Sequence, residues 1–165
     1  MTNKRIGVSL AAVLALGIHA LLSAAPPNEL LVYFGTYTGA NSKGIYVSRL
    51  NVGSGKLSPP QLAAETPSPS FLTVRARGDF LYAVNEVDTF GGEPVGSVSA
   101  FAINKDSGSL MPLNQRSSAG PGPAHLSLDQ DGDAVLVANY GGGSIAVLPI
   151  AGDGRLEGPT SFIRH

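Results

Sequence analysis

The 165-residue sequence predicts an all-β fold made of repeated four-stranded antiparallel sheets. Three observations carry that expectation. Gly and Pro supply 21 and 12 residues and fall between evenly spaced apolar runs, the pattern of tight turns rather than of disorder. Charged residues make up only 14% of the chain, too few for a solvated helical bundle or a coiled coil. The third observation is an internal repeat. PSFLTVRARGDFLYAVNE from Pro69 aligns without a gap on PAHLSLDQDGDAVLVANY from Pro123, at an offset of 54. Gly78 falls on Gly132, Asp79 on Asp133, Asn85 on Asn139 and Phe71 on His125.

Residues 1–25 read as a secretory signal peptide. Lys4 and Arg5 form a basic head, Ile6 to Leu22 an apolar middle, and Ser23, Ala24 and Ala25 a small-residue exit. The alternative is an uncleaved anchor, for which an apolar run of about 17 residues is at the short limit of a bilayer span. Export would place the protein in the periplasm or outside the cell and leave 26–165 as its folded domain. Losing Lys4 and Arg5 from the 11 basic residues leaves 9 against 12 acidic ones. It also removes His19 as a site candidate.

Each later unit reads as four short strands, A to D. Strand A is expected at Ser70–Arg75 and Ala124–Leu128, and an Arg77-Gly78 or Asp131-Gly132 turn leads into B at Phe80–Asn85 and Ala134–Asn139. A glycine-rich loop then leads to C at Ser97–Ile103 and Ser144–Ile150, and D starts at Leu110 and Leu156. An earlier copy supplies B at Leu31–Gly35, C at Ile45–Leu50 and D after Leu57. Four-stranded sheets recurring at a period near 50 describe the blades of a β-propeller around a central channel. About 135 residues make two to three blades, whereas closed propellers have roughly four to eight. The expectation is therefore the N-terminal part of a longer, incomplete ring; the rival is a ring assembled from several copies.

Composition narrows the function. With no Cys there is no disulfide, thiolate nucleophile or Cys-ligated metal. A net charge of −1 offers no basic face for nucleic acid, so no such partner is expected, and none in the membrane once the leader is gone. Asp129-Gln130-Asp131-Gly132-Asp133 resembles the start of a calcium loop but lacks the rest, and it occupies an A–B turn, so turn chemistry is expected and no metal. Gly141-Gly142-Gly143 is followed by no helix and no Gly-Lys-Ser/Thr, so it is not a phosphate loop.

Strand polarity places the candidate site. Adjacent strands A and B run antiparallel, so the start of A lies beside the end of B. His125 opens A of its unit; Asn139 and Tyr140 close B of the same unit, Asn85 and Glu86 one unit earlier, and Thr36 and Tyr37 one before that. If A is innermost, all of these gather at one mouth of the channel, a preformed concave setting for a ligand. His125 replaces Phe71 and Glu86 corresponds to Tyr140, so both break the repeat and neither is demanded by the architecture. An imidazole there can act as a base or polarise a carbonyl, and a carboxylate can serve as acid or base. The bland readings are a packed histidine and a solvated rim carboxylate. Asn85 and Asn139 recur at one position, which favours turn capping over ligand contact. Tyr140 can stack on a sugar-like ring or wedge between blades, and Tyr37 joins the substrate-binding set.

FGTYTGANSKGIYV, FLYAVNE, the DSGSL turn and GPAHLSLDQDGDAVLVANYGGGSIAVLPI resemble the lactonase family of seven-bladed β-propellers, the group that includes propeller-type 6-phosphogluconolactonases. The resemblance implies a lactone-ring hydrolase acting on a small lactone or sugar-derived substrate without a cofactor. It puts His125 in the family's active-site cleft; with the repeat-breaking Glu86 expected at the same strand end, His125 and Glu86 are the expected catalytic pair. Asn139, Tyr140, Asn85 and Tyr37 would then contact substrate. It also implies further blades that bring a second histidine and arginines, so that this segment alone would be inactive. Two other functions fit the same fold: a non-catalytic periplasmic binding or scaffold propeller, and a muconate-type lactone cycloisomerase.

Overall fold

The computed structural model describes residues 28–165 and contains three antiparallel sheets stacked face to face. The expected signal peptide and His19 lie outside the described residues. Blade one comprises β1 (Glu29–Phe34), β2 (Gly44–Asn51), β3 (Lys56–Leu57) and β4 (Gln61–Glu65), the last two pairing with the same edge of β2. Blade two runs β5 (Leu72–Val74), β6 (Phe80–Asn85), β7 (Ser97–Ile103), β8 (Leu110–Ser117). Blade three runs β9 (Pro123–Leu128), β10 (Ala134–Asn139), β11 (Ser144–Pro149), β12 (Ser161–Arg164). Blade one therefore has the B, C and D positions, as its sequence copy predicts. A single 3₁₀ turn at Tyr140–Gly142 is the one named non-strand element among the described residues. No helix among them is long and apolar enough to cross a membrane.

Alternation along β6 explains the stacking. Leu81 and Ala83 face blade one, where they pack with Ile45, Val47, Ala63 and Ala64. Tyr82 and Val84 face blade three and pack with Leu126, Val135, Val137 and Leu148. Both faces of β6 are thus covered, and an unbroken apolar run from Phe80 to Val84 is the sequence signature of that double burial. β10 buries Val135 and Val137 but leaves Leu136 exposed, so one face of blade three is open. Two separate cores result, one per blade boundary.

A tyrosine crosses each boundary. Tyr33 of β1 donates to the Gly108 carbonyl at 2.9 Å, and Tyr82 of β6 donates to the Gly154 carbonyl at 3.1 Å. Both acceptors are in the C–D turn of the following blade. At Gly154 the backbone has φ +84°, and a Cβ there would lie 2.3 Å from Phe80, so only glycine fits beneath the ring.

Strand D begins at Leu110 in blade two and follows Leu57 in blade one, as the sequence predicts; only in blade three does it depart, and prolines shape all three outer strands. In blade three D does not begin at Leu156: that residue makes only an isolated bridge to Ile150, and the strand forms at Ser161–Arg164, after Gly158-Pro159. Leu156 is instead buried, its amide and carbonyl both held by the Asn114 side chain at 3.0 and 2.8 Å. In blade one Pro59 and Pro60 split D into β3 and β4. In blade two Pro112 sits in β8 at a register shift opposite Ala100 and Phe101. Proline lacks the amide that a ladder needs, and it is tolerated here because D is an edge strand.

Candidate functional site

The predicted rim begins with a buried asparagine. The Asn85 side chain donates from Nδ2 to Thr66 Oγ1 (2.9 Å) and to the Pro67 carbonyl (2.7 Å). Its Oδ1 accepts from Ser97 (3.4 Å), Ser99 (2.6 Å) and Gln115 (2.9 Å). This knot ties β6, β7 and β8 to the segment that enters blade two. The Glu86 amide then donates to the Ser68 carbonyl at 3.0 Å, which sets residue 86 beside Ser70.

From that position the half-buried Glu86 carboxylate receives two hydroxyls on one oxygen. Ser70 Oγ donates to Oε2 at 2.7 Å and Tyr37 Oη donates to the same atom at 2.8 Å. Tyr37 comes from blade one, so this contact joins two blades at the rim. The Glu86 hydrogen bond, with the negative charge behind it, holds the Tyr37 phenol above its ordinary pKa. Next along the chain, Phe71 meets the exposed His125 ring with centroids 4.2 Å apart and planes at 46°, a tilted contact favoured by aromatic quadrupoles. The dipeptide Ser70-Phe71 therefore touches Glu86 through one residue and His125 through the other. Tyr37, Glu86 and His125, expected together from strand polarity, do gather at one end of the sheets.

The other three predicted residues are placed differently. Asn85 and Asn139 are both 0% exposed, so in this structure they support the rim from behind. Asn139 donates to the Ser118 carbonyl at 2.9 Å and to Ser144 Oγ at 3.3 Å, but its buried Oδ1 has no partner among the described residues. The register explains this. The positions that hold Ser99 and Gln115 in blade two hold Ala146 and Phe162 in blade three, and neither can donate. Tyr140 starts the 3₁₀ turn and is 88% exposed, so it does not wedge between the described blades. It and His125 border an open groove of about 730 Å³ on the uncovered face of blade three, with Ile145 and Ile163 as its apolar floor.

Sequence reasoning missed Ser70. The signal was present, because Ser70 aligns with Ala124 and so breaks the repeat in the same way as Glu86. The Asp129 carboxylate accepts from the amides of Asp133 (2.8 Å) and Ala134 (3.0 Å), which holds its pKa below the usual carboxylate value. This is the turn chemistry expected of that segment. Among the described residues no three His, Cys, Asp or Glu side chains are grouped to hold a metal ion.

The profile of the family described as lactonase, 7-bladed beta-propeller, matches residues 31–165. The chain belongs to the lactonase family of seven-bladed β-propellers. Within that family it is 38% identical over 133 residues to a 6-phosphogluconolactonase of Bacillus subtilis, covering 81% of this chain and 37% of that one. It superimposes on a putative 6-phosphogluconolactonase from Bacteroides fragilis with a TM-score of 0.75 and 40% identity, covering 84% and 37% of the two chains. A periplasmic gluconolactonase from Pseudomonas aeruginosa gives a TM-score of 0.73 and 34% identity, covering 82% and 38%. The chain thus spans a little over a third of the length of these lactonase relatives.

Proposed function

We propose that the protein hydrolyses the ring ester of a sugar-derived lactone at the rim shared by the three blades. The observation that carries this reading is the Glu86 carboxylate, fixed by hydroxyls from two blades, one dipeptide away from an exposed histidine seated on Phe71. Family membership supplies the reaction class. Water attacks the lactone carbonyl, the ring C–O bond breaks, and the ring oxygen leaves as a hydroxyl after gaining a proton. His125 takes the proton from the attacking water and returns it to the ring oxygen, and Glu86 orients that water. Tyr37 and Tyr140, both exposed, offer their ring faces to the polyol.

Export supports an unphosphorylated sugar lactone, since phosphorylated sugar acids are made inside the cell. The reading of export rests on the basic head, apolar middle and small-residue exit of residues 1–25. It places the protein in the periplasm or outside the cell.

The test is hydrolysis of glucono-1,5-lactone by the intact protein, followed by pH-stat above the spontaneous rate. His125→Ala should lower kcat on the order of 100-fold, the usual contribution of a general base. An unchanged rate overturns the role given to His125. Tight binding of sugar lactones without turnover of any of them would favour a binding propeller instead.

A further inference from the structure

We infer that Ser70 and Tyr37 are positioning residues that grip Glu86 by Oε2 alone and so present Oε1 to the bound water or substrate. This rests on the reading that Glu86 acts at the rim. The geometry is specific. Both donors reach the same oxygen, at 2.7 and 2.8 Å, and they come from different places: Ser70 from the entry to β5, Tyr37 from the loop after β1 of the neighbouring blade. A carboxylate held at one oxygen by hydroxyls from two different blades is restrained in its plane and in where its second oxygen points, where a solvated rim glutamate would rotate about its last torsion. Neither donor carries charge, so the pair orients the carboxylate without neutralising it. The repeat agrees: Ser70 replaces what is Ala124 one unit later, and Glu86 replaces what is Tyr140, so donor and acceptor depart from the pattern together.

The grip also makes the site a product of blade packing. Tyr37 reaches Glu86 only because blade one is seated against blade two through Ile45, Val47, Leu81 and Phe101. A shift at that boundary would release one of the two donors and leave the other in place.

Three variants of the intact protein, assayed with glucono-1,5-lactone, test the inference. Ser70→Ala and Tyr37→Phe should each lower kcat on the order of tenfold, the worth of one hydrogen bond to a charged group, with KM nearly unchanged. On a Glu86→Gln background the same two changes should have no further effect, because the group they orient no longer acts. Ser70→Thr, which keeps the hydroxyl, should restore most of the rate. Losses that persist undiminished on the Glu86→Gln background, or full activity of both single variants, would overturn the inference while leaving the function intact. Full activity of Glu86→Gln itself removes Glu86 from the reaction, and the inference with it. The contact has a readout independent of turnover. The Tyr37 phenol, followed by NMR titration, should titrate at lower pH in Glu86→Gln; no movement would show that the two side chains do not meet in solution and would end the inference.

Discussion

Phe71 and His125 occupy the same position in successive repeats, 54 residues apart, and their rings meet at 4.2 Å across the boundary between blades two and three. A propeller brings equivalent positions of neighbouring units side by side at the channel, so a substitution in one unit acquires its counterpart as a neighbour. Here the histidine that departs from the repeat rests against the phenylalanine that it replaces.

That arrangement predicts a role for Phe71. Phe71→Ala should leave the fold intact, at a cost of about 1 kcal/mol for a half-exposed aromatic pair, and should lower lactone turnover several-fold by freeing the imidazole. Thermal unfolding and steady-state kinetics measured together separate the two effects. A loss of stability with no kinetic change would make Phe71 a packing residue only.

Tyr82 makes the second prediction. Its side chain is fully buried and its hydroxyl holds the Gly154 carbonyl, so Tyr82→Phe leaves that carbonyl unpaired and should cost about 1–3 kcal/mol. Urea unfolding should show a lower midpoint with an unchanged slope. Burial, more than the nearby Asp79 and Asp153 charges, pushes the Tyr82 phenol from 10.0 up to about 12. The folded chain then keeps a proton that the unfolded chain releases. The stability is fully present below pH 10 and is lost as pH rises from 10 toward about 12, at up to roughly 1 kcal/mol per pH unit. Tyr33 is shifted in the same direction and for the same first cause. Tyr82→Phe should flatten its share of the alkaline limb.

Gly154→Ala should be more damaging than an alanine in an open turn. At Gly55, with φ +68°, a Cβ meets nothing within 4 Å, so only the backbone conformation is strained, at about 1 kcal/mol. At Gly154 a similar strain is joined by a clash with Phe80, and the blade boundary must open; a loss above roughly 2 kcal/mol is expected. Equal melting temperatures for the two variants would show that Phe80 swings aside.

The two asparagines offer a comparison of one position in two settings. Asn85→Ala breaks five hydrogen bonds in a buried site and should cost about 2–4 kcal/mol. Asn139→Ala breaks two and removes an oxygen that already lacks a partner, so it should cost at least about 1 kcal/mol less. Chemical denaturation of both variants checks the ranking.

Strands B and C could be read directly from the sequence, because β6, β7, β10 and β11 are apolar at double or alternating period and end at turns carrying glycine. The outer strands could not be read as well. Edge strands are held from one side only, so their limits depend on where proline interrupts the ladder, and Leu156, apolar and in the expected place, is diverted into the core by Asn114. At the rim, strand polarity was enough to bring Tyr37, Glu86 and His125 together. For Asn85 and Asn139 the recurrence at one repeat position favoured a structural role over ligand contact, and both turn inward. The partners of Glu86 depend on side-chain directions, which spacing does not encode; only the repeat-breaking serine at position 70 marked them.

The prolines of the outer strands have a consequence beyond where those strands end. An exposed sheet edge invites a neighbouring molecule to add its own strand, and continued addition builds aggregates. In blades one and two the outward edge is interrupted at Pro59-Pro60 and at Pro112, so two molecules meeting along those edges find no unbroken row of amides to share. Stitching of one molecule to the next is therefore blunted at these two outer edges.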